Sequence, residues 1–253
     1  MPCALPDYSN GTDDYVIFGD MQGRLWILRA VDGVSIAPDG TAGNGPAFFV
    51  PEDPATLVMP QVASSLPTPA GVKEPIGAMV SVIGHKIVFG TGGRESLQAE
   101  DGTNYHVFAF AFESDKTLSN IWSGLDGKSF ATNAGEKIWI QPLIDSDGTI
   151  YIGTAKGYTD IGKRPDEVRA AATGRFLALS LDPKDDPNNI GKKKVLLLEK
   201  DIGSPVVGGL AIENNHVSIL SFDGTFKQLG DENFTSNAVH ENPVKTLWWR
   251  TLQ

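Results

Sequence analysis

Val16-Ile17-Phe18-Gly19, Ile87-Val88-Phe89-Gly90, Ile150-Tyr151-Ile152-Gly153 and Val217-Ser218-Ile219-Leu220 are one strand written four times. The first is followed by Gln22-Gly23 and then Leu25-Trp26-Ile27-Leu28. The second runs through Thr91-Gly92-Gly93 and, after an insertion, reaches His106-Val107-Phe108-Ala109-Phe110. The third passes Thr154 and Lys156-Gly157 before Arg175-Phe176-Leu177-Ala178-Leu179, and the fourth passes Asp223-Gly224 before Phe226-Lys227-Gln228-Leu229. The last residues of the four strands stand at 19, 90, 153 and 220, so the steps are 71, 63 and 67. A steady period with the same strand–glycine–strand content marks a radially repeated all-β fold.

Composition agrees. A chain of 253 residues has room for one large all-β domain, 1–253. Its 28 glycines and 16 prolines suit a fold with many turns. The net charge of −10 repels phosphates and anionic headgroups, which argues against nucleic acid and membrane-surface partners. Cys3 is the lone cysteine, so no internal disulfide forms. No run of 18 apolar residues provides a membrane-spanning helix, and the first six residues do not read as a secretory leader.

A propeller blade is a sheet of four antiparallel strands, A to D from the axis outward. In the third period Lys137–Ile144 reads as A, Thr149–Thr154 as B, Arg175–Leu181 as C and Lys194–Leu198 as D, with Asp145-Ser146-Asp147-Gly148 as the A–B turn. The B–C connection, 155–174, is long, and Arg164–Ala172 within it has the composition of a short helix. The second period gives Ile76–Ile83, Lys86–Gly90, Tyr105–Phe112 and Asn120–Leu125. The fourth gives Val206–Ile212, Val217–Phe222, Thr225–Leu229 and Lys245–Leu252. The first shows B and C but no clear A before Asp14, and 31–73 reads as a Pro/Gly-rich insertion with at most one outer strand around Phe48-Phe49-Val50. The expected fold is therefore an all-β propeller of about three full blades and one partial blade. Either its ends pair to close the ring or it belongs to a larger propeller; a first blade with an uncovered edge favours the second. In that case Lys245–Leu252 is finished by other polypeptide, with Trp248 and Trp249 on opposite faces.

Phe18-Gly19-Asp20-Met21-Gln22-Gly23-Arg24-Leu25-Trp26 resembles the G-D-x-x-G-x-L-W segment of the PilY/PilC family of type IV pilus tip-associated proteins. Phe89-Gly90-Thr91-Gly92 resembles that family's F-G-T-G strand, Gly135-Glu136-Lys137-Ile138 its G-E-[RK]-[VI] lead-in, and Trp248-Trp249-Arg250-Thr251-Leu252 its C-terminal W-R-x-[LI] ending. The resemblance implies the quinoprotein-like C-terminal propeller of such proteins. It also implies placement at the cell surface or pilus tip, pilin subunits as partners, and a non-enzymatic role in pilus assembly, retraction control and adhesion.

The family often carries a calcium loop, D-x-[DN]-x-[DN]-G-x-x-D, before its first motif. Here the pattern ends at Asp14, with Gly11 and Asn10 in place, while Pro6 and Tyr8 replace the first and third carboxylates. Asp7, Asn10, the Thr12 carbonyl and Asp14 supply about four oxygens, where Ca2+ takes about six to eight. A polar turn feeding a strand is the competing reading.

Other chemistries find less in the sequence. A quinone oxidoreductase, the enzymatic alternative, needs a tryptophan platform, a catalytic carboxylate and a metal, whereas Trp26, Trp139 and Trp248-Trp249 sit in strand patterns and no tryptophan-docking repeat stands out. His85, His106, His216 and His240 lack the spacing of a zinc pair. Gly90-Thr91-Gly92-Gly93-Arg94 has neither the following helix nor the Lys-Ser/Thr of a phosphate loop. The third alternative is a generic scaffold propeller in a larger assembly.

Overall fold

In a computed structural model of the chain, the described residues are 3–5, 15–51, 53–59, 61, 74–92, 104–125, 128–156, 173–187, 189, 191–213, 216–221, 224–229 and 239–242. They form four antiparallel sheets and a single 3-10 turn at Pro54–Thr56. The segment expected to hold a helix, Arg164–Ala172, lies outside the described residues, as do Lys245–Leu252 and its two tryptophans.

The B strands emerge as the sequence marks them: β2 (Tyr15–Gly19), β8 (Lys86–Gly90), β13 (Thr149–Gly153) and β17 (His216–Ser221). Each pairs with its C strand: β3 (Arg24–Arg29), β9 (His106–Phe112), β14 (Arg175–Asp185) and β18 (Phe226–Leu229). The B strands are rich in β-branched and aromatic residues, which fit a pleated surface. In the second and third sheets both faces are covered, so four consecutive residues, Ile87–Gly90 and Ile150–Gly153, are buried.

The inner strands are shorter than expected. Ile76–Ile83 is reduced to β7 (Ser81–Ile83), and Lys137–Ile144 to β12 (Leu143–Ile144) plus one bridge between Lys137 and Ala155. The cause is a change of partner. The Ile76 N–H donates to the Asp20 carbonyl and the Ile138 N–H to that of Thr91, both 3.0 Å and both in the preceding sheet. The lead-in of each inner strand therefore stitches two sheets together instead of extending one. The first sheet, expected to lack strand A, has β1 (Cys3–Leu5) paired with β2. Three residues are too few for a periodic pattern to register.

The outer strands differ most. In the second sheet Asn120–Leu125 is largely a turn, and the outer position belongs to β10 (Leu118–Asn120) and β11 (Phe130–Ala131), both on β9. The first sheet divides its outer position between β4 (Ser35–Ile36), itself paired with β5 (Ala42–Gly43), and β6 (Phe48–Phe49), so the insertion 31–73 supplies two outer segments. In the fourth, the place beside β18 is taken by β19 (Val239–Asn242). β15 (Lys193–Asp201) and β16 (Val206–Glu213) agree with the sequence.

Three cores lie between successive sheets. Tyr15, Ile17, Leu25 and Ile27 of the first sheet meet Phe89, Phe108 and Phe110 of the second. The Phe48 ring adds to this core, 4.7 Å from that of Phe110. Val88, Val107 and Ala109 meet Ile150, Ile152, Leu177 and Leu179 across the second junction. There Trp122 is fully buried, and its indole N–H reaches the Ser180 and Leu181 carbonyls at 3.1 Å. This one tryptophan docks between blades in a chain whose sequence shows no docking repeat. Tyr151, Phe176 and Ala178 meet Val206, Val217 and Ile219 across the third.

One detail recurs at all three junctions. A Cβ added to Gly19 would stand 2.4 Å from the Cβ of Ile76, one on Gly90 2.6 Å from that of Ile138, and one on Gly153 2.5 Å from that of Val206. The glycine closing each B strand is a hole, and the branched residue opening the next inner strand fills it. Beside it the Val206 N–H donates to the Thr154 carbonyl at 3.0 Å, as in the two earlier junctions. Close backbone approach, not backbone flexibility, is what these glycines supply.

Candidate binding site on the axial face

The sequence motifs converge on one rim, where inner strands begin, B strands end and C strands start. In the first sheet Asp20 follows Gly19. One carboxylate oxygen accepts from the backbone N–H groups of Gln22 and Arg24 at 2.8 and 3.1 Å, and the other from the Trp26 indole at 2.9 Å and from Arg24 Nε. Gly23 completes the turn at φ +66°, and the Arg24 guanidinium lies 5.2 Å from the centre of the Trp26 ring. Asp20, Gly23, Leu25 and Trp26 of the G-D-x-x-G-x-L-W pattern thus have positions dictated by one tight turn.

The second and third sheets hold a variant of this clamp. Thr91 donates to Glu74 at 2.8 Å, and His106 Nδ1 lies 2.9 Å from both Glu74 oxygens. In the third sheet Arg175 Nε donates to Glu136 at 2.7 Å while a second guanidinium nitrogen reaches the other Glu136 oxygen. The Thr154 hydroxyl accepts from the Arg175 backbone at 2.9 Å. Burial alone would lower the Arg175 pKa, but Glu136 and Glu199 outweigh it and raise it above the ordinary arginine value. A glutamate two residues before the docking isoleucine (Glu74-Pro75-Ile76, Glu136-Lys137-Ile138) is thus fixed to the first residue of its C strand. These clamps leave no local signal in the sequence because their partners are 32 and 39 residues apart.

The electrostatics of Asp20 yield a pH dependence. Burial pushes its carboxyl up, but hydrogen bonds from Trp26, Arg24 and Gln22 prevail and hold it below the ordinary aspartate value. A lowered folded pKa contributes stability above the unfolded value of about 4 and loses it as pH falls through the folded pKa. Asp20→Asn should therefore melt below the parent chain at pH 6, and the gap should narrow steadily towards pH 2. Melting scans across that range check it; a gap independent of pH would assign the Asp20 effect to shape rather than charge.

The axial face is formed by the inner strands. A cavity of about 240 Å³ opens there, lined by Ser81 and Val82 of the second sheet, Gln141–Ile144 of the third, and Gly209 and Leu210 of the fourth. Every lining side chain is neutral. Gln141 donates to the Val80 carbonyl at 3.1 Å and Ser81 to the Pro142 carbonyl, so both polar groups zip the second inner strand to the third. Such a surface can bind; its described lining holds no group that donates or removes a proton near neutral pH.

Two further surfaces stand at the ends of the row of sheets. On the first sheet Val16, Phe18, Trp26 and Leu28 are half-buried and belong to none of the three cores. Phe18 and Trp26 stack there with ring centres 6.3 Å apart. On the fourth sheet Leu220 is 43% exposed, with half-buried Ser218, Phe226 and Gln228 around it.

The expected calcium ligands Asp7, Asn10, Thr12 and Asp14 lie outside the described residues. Among the described residues no group of three or more His, Cys, Asp or Glu side chains could hold a metal ion. His106 is engaged with Glu74, while His85 lies in the A–B turn of the second sheet and His216 opens the B strand of the fourth.

No protein-family model and no curated protein matches the chain. Solved structures do. BamB from Moraxella catarrhalis matches with 14% identity and a TM-score of 0.42, over 89% of this chain and 44% of that one. Kuenenia stuttgartiensis hydrazine synthase matches at 11% and 0.44, over 88% and 51%. The quinohemoprotein alcohol dehydrogenase ADHIIG of Pseudomonas putida HK5 matches at 13% and 0.44, over 87% and 31%. The chain spans a third to a half of the length of each.

Proposed function

We propose that this chain is a non-enzymatic, surface-exposed propeller of the type IV pilus tip class, acting through contacts with protein. The observation that carries the protein-contact reading is the apolar cluster Val16, Phe18, Trp26 and Leu28 on the outer face of the first sheet, with the exposed Leu220 beside Phe226 on the fourth, a kind of surface that marks interaction sites. The neutral axial cavity supports binding over proton-transfer chemistry. The pilus assignment rests on the ordered motifs from Gly19 to Trp26, Phe89 to Gly92, Gly135 to Ile138 and Trp248 to Leu252. Pilin subunits or a polypeptide completing the propeller are the partners, at the cell surface or pilus tip.

Deleting the coding sequence from its host should remove most surface pili and surface adhesion. Unchanged piliation and adhesion would overturn the assignment. Reconstituting the purified chain with a quinone and scanning its absorbance tests the oxidoreductase alternative: quinone-dependent turnover would replace this reading with that one. A defect confined to other envelope assemblies would identify a generic scaffold.

Calcium belongs to the same proposal, at Asp7, Asn10, the Thr12 carbonyl and Asp14. An ion that binds only the folded chain stabilises it by mass action, about 2.7 kcal/mol at a hundredfold excess over Kd. Millimolar calcium should therefore raise the melting temperature, and Asp14→Ala should abolish the gain. No shift in the parent chain would leave a polar turn at this place.

A further inference from the structure

We propose that the axial cavity is a binding site for a small uncharged amide with a compact apolar body, and that Gly209 keeps the room for it. The inference stands apart from the pilus reading and from the outer faces of the first and fourth sheets.

Gly209 is a strand glycine that the fold itself does not require. The other described strand glycines are each demanded by a neighbour. A Cβ on Gly19, Gly90 or Gly153 would collide with Ile76, Ile138 or Val206, one on Gly208 would stand 2.5 Å from the Leu220 Cβ, and one on Gly43 3.3 Å from the Ala37 Cβ. A Cβ on Gly209 would meet nothing within 4 Å, and its φ is not in the left-handed region. A glycine inside a strand weakens it, and where it persists it marks a bulge, a tight bend or the close approach of a ligand or another backbone. Gly209 does lie in a bulge. Val206 pairs with Ser221 and Leu210 with Ile219, so the span 206 to 210 on β16 faces only 219 to 221 on β17 and carries two extra residues. A bulge demands glycine only where its residue is left-handed, which Gly209 is not. Bulges bend a strand and gather beside functional sites, and this one stands where the fourth sheet reaches the cavity: Gly209 and Leu210 are its share of the wall.

The chemistry of the wall sets the class of ligand. Ser81 spends its one hydroxyl proton on the Pro142 carbonyl, and Gln141 spends one of its two amide protons on the Val80 carbonyl at 3.1 Å. The Ser81 oxygen, the Gln141 oxygen and the second Gln141 proton stay available. These bonds also hold both side chains in place, because each ties the second inner strand to the third. A ligand amide matches the set in both senses. Its N–H donates to the Ser81 or Gln141 oxygen, and its carbonyl accepts the remaining Gln141 proton. Val82, Leu143, Ile144 and Leu210 take the apolar body. An ion would exchange water for a wall without a countercharge, which is costly. The volume of about 240 Å³ falls just under the span of about 300–1,000 Å³ for drug-sized ligands, so the occupant has the size of one ring and its head group.

Cyclohexanecarboxamide, cyclohexanecarboxylate and cyclohexylammonium share one apolar body and differ in charge. Saturation-transfer NMR titrations on the purified chain should show the amide binding in the millimolar range and each ion at least about tenfold more weakly. Gly209→Leu places a side chain in the cavity, so amide binding should fall at least about tenfold. The same variant should melt with the parent or above it, because the added Cβ meets no neighbour and narrows the freedom of the unfolded chain. A parent chain that does not bind the amide overturns the proposal, as does either ion binding as tightly as the amide. Parent-like amide binding by Gly209→Leu overturns it too, since the probe then sits elsewhere. A Gly209→Leu chain that melts well below the parent also overturns it, because the fold would then need the glycine for itself. The pilus reading falls separately, on unchanged piliation after deletion.

Discussion

Replacing Gly153 with valine should be among the most damaging single changes in this chain. An added Cβ at that position would lie 2.3 Å from Cγ1 and 2.5 Å from Cβ of Val206, and 3.0 Å from Cδ1 of Ile140. A Cβ cannot rotate aside, so the fourth sheet must shift away from the third. The shift also lengthens the bond from the Val206 N–H to the Thr154 carbonyl, which stitches the same junction. Overpacking a tight core costs about 1–3 kcal/mol and occasionally more. The valine should reach the upper end, lowering the melting temperature on the order of 5–10 °C for a chain of this size. Gly153→Ala should cost less, and adding Val206→Gly to it should recover part of the loss by moving the hole across the junction. A Gly153→Val chain that melts with the parent would show that the sheets are not held by this contact.

That contact also explains what the sequence reveals and what it hides. The four B strands are legible because each is a short apolar run, and three of them end on a glycine that a neighbouring sheet demands. The fourth departs from the pattern and ends on Leu220, which is exposed. Inner strands look longer in the sequence than they are because Ile76 and Ile138 have strand-like neighbours, while their N–H groups serve the preceding sheet. Periodicity reports which side chains are buried and not which backbone satisfies them. The outer strands are least legible. They are short, split between segments such as Ser35–Ile36 and Phe48–Phe49, and in the second sheet a turn holds Trp122 in the core where a strand was expected. The clamps are hidden for a different reason. Glu74 and Glu136 look like surface charges until the lead-in of each inner strand brings them to His106 and Arg175. The sequence signal was the repeated glutamate two residues before an isoleucine that fills a glycine hole.

Of these clamps, the pair formed by Glu136 and Arg175 should show the largest electrostatic effect. The Glu136 side chain is 5% exposed and that of Arg175 is 12%, and two parallel N–H donors meet the two carboxylate oxygens. Removing one member of a buried pair leaves the other charge in low dielectric, which costs about 3–5 kcal/mol. Glu136→Ala also frees the Asn133 N–H, which the carboxylate accepts at 3.1 Å. Both Glu136→Ala and Arg175→Ala should therefore melt far below the parent chain. The double variant Glu136→Leu with Arg175→Met should melt well above either single change, because a pair replaced by apolar groups leaves no stranded charge. Glu199 provides the internal control. It contacts the same guanidinium but is 46% exposed, and exposed pairs contribute about 0–1 kcal/mol. Glu199→Ala should be nearly silent, and what effect it has should fade in high salt, while the Glu136 effect persists because salt screens buried pairs much less. Equal losses at Glu136 and Glu199 would mean that the guanidinium's general charge, and not the buried fork, sets the stability of the third sheet.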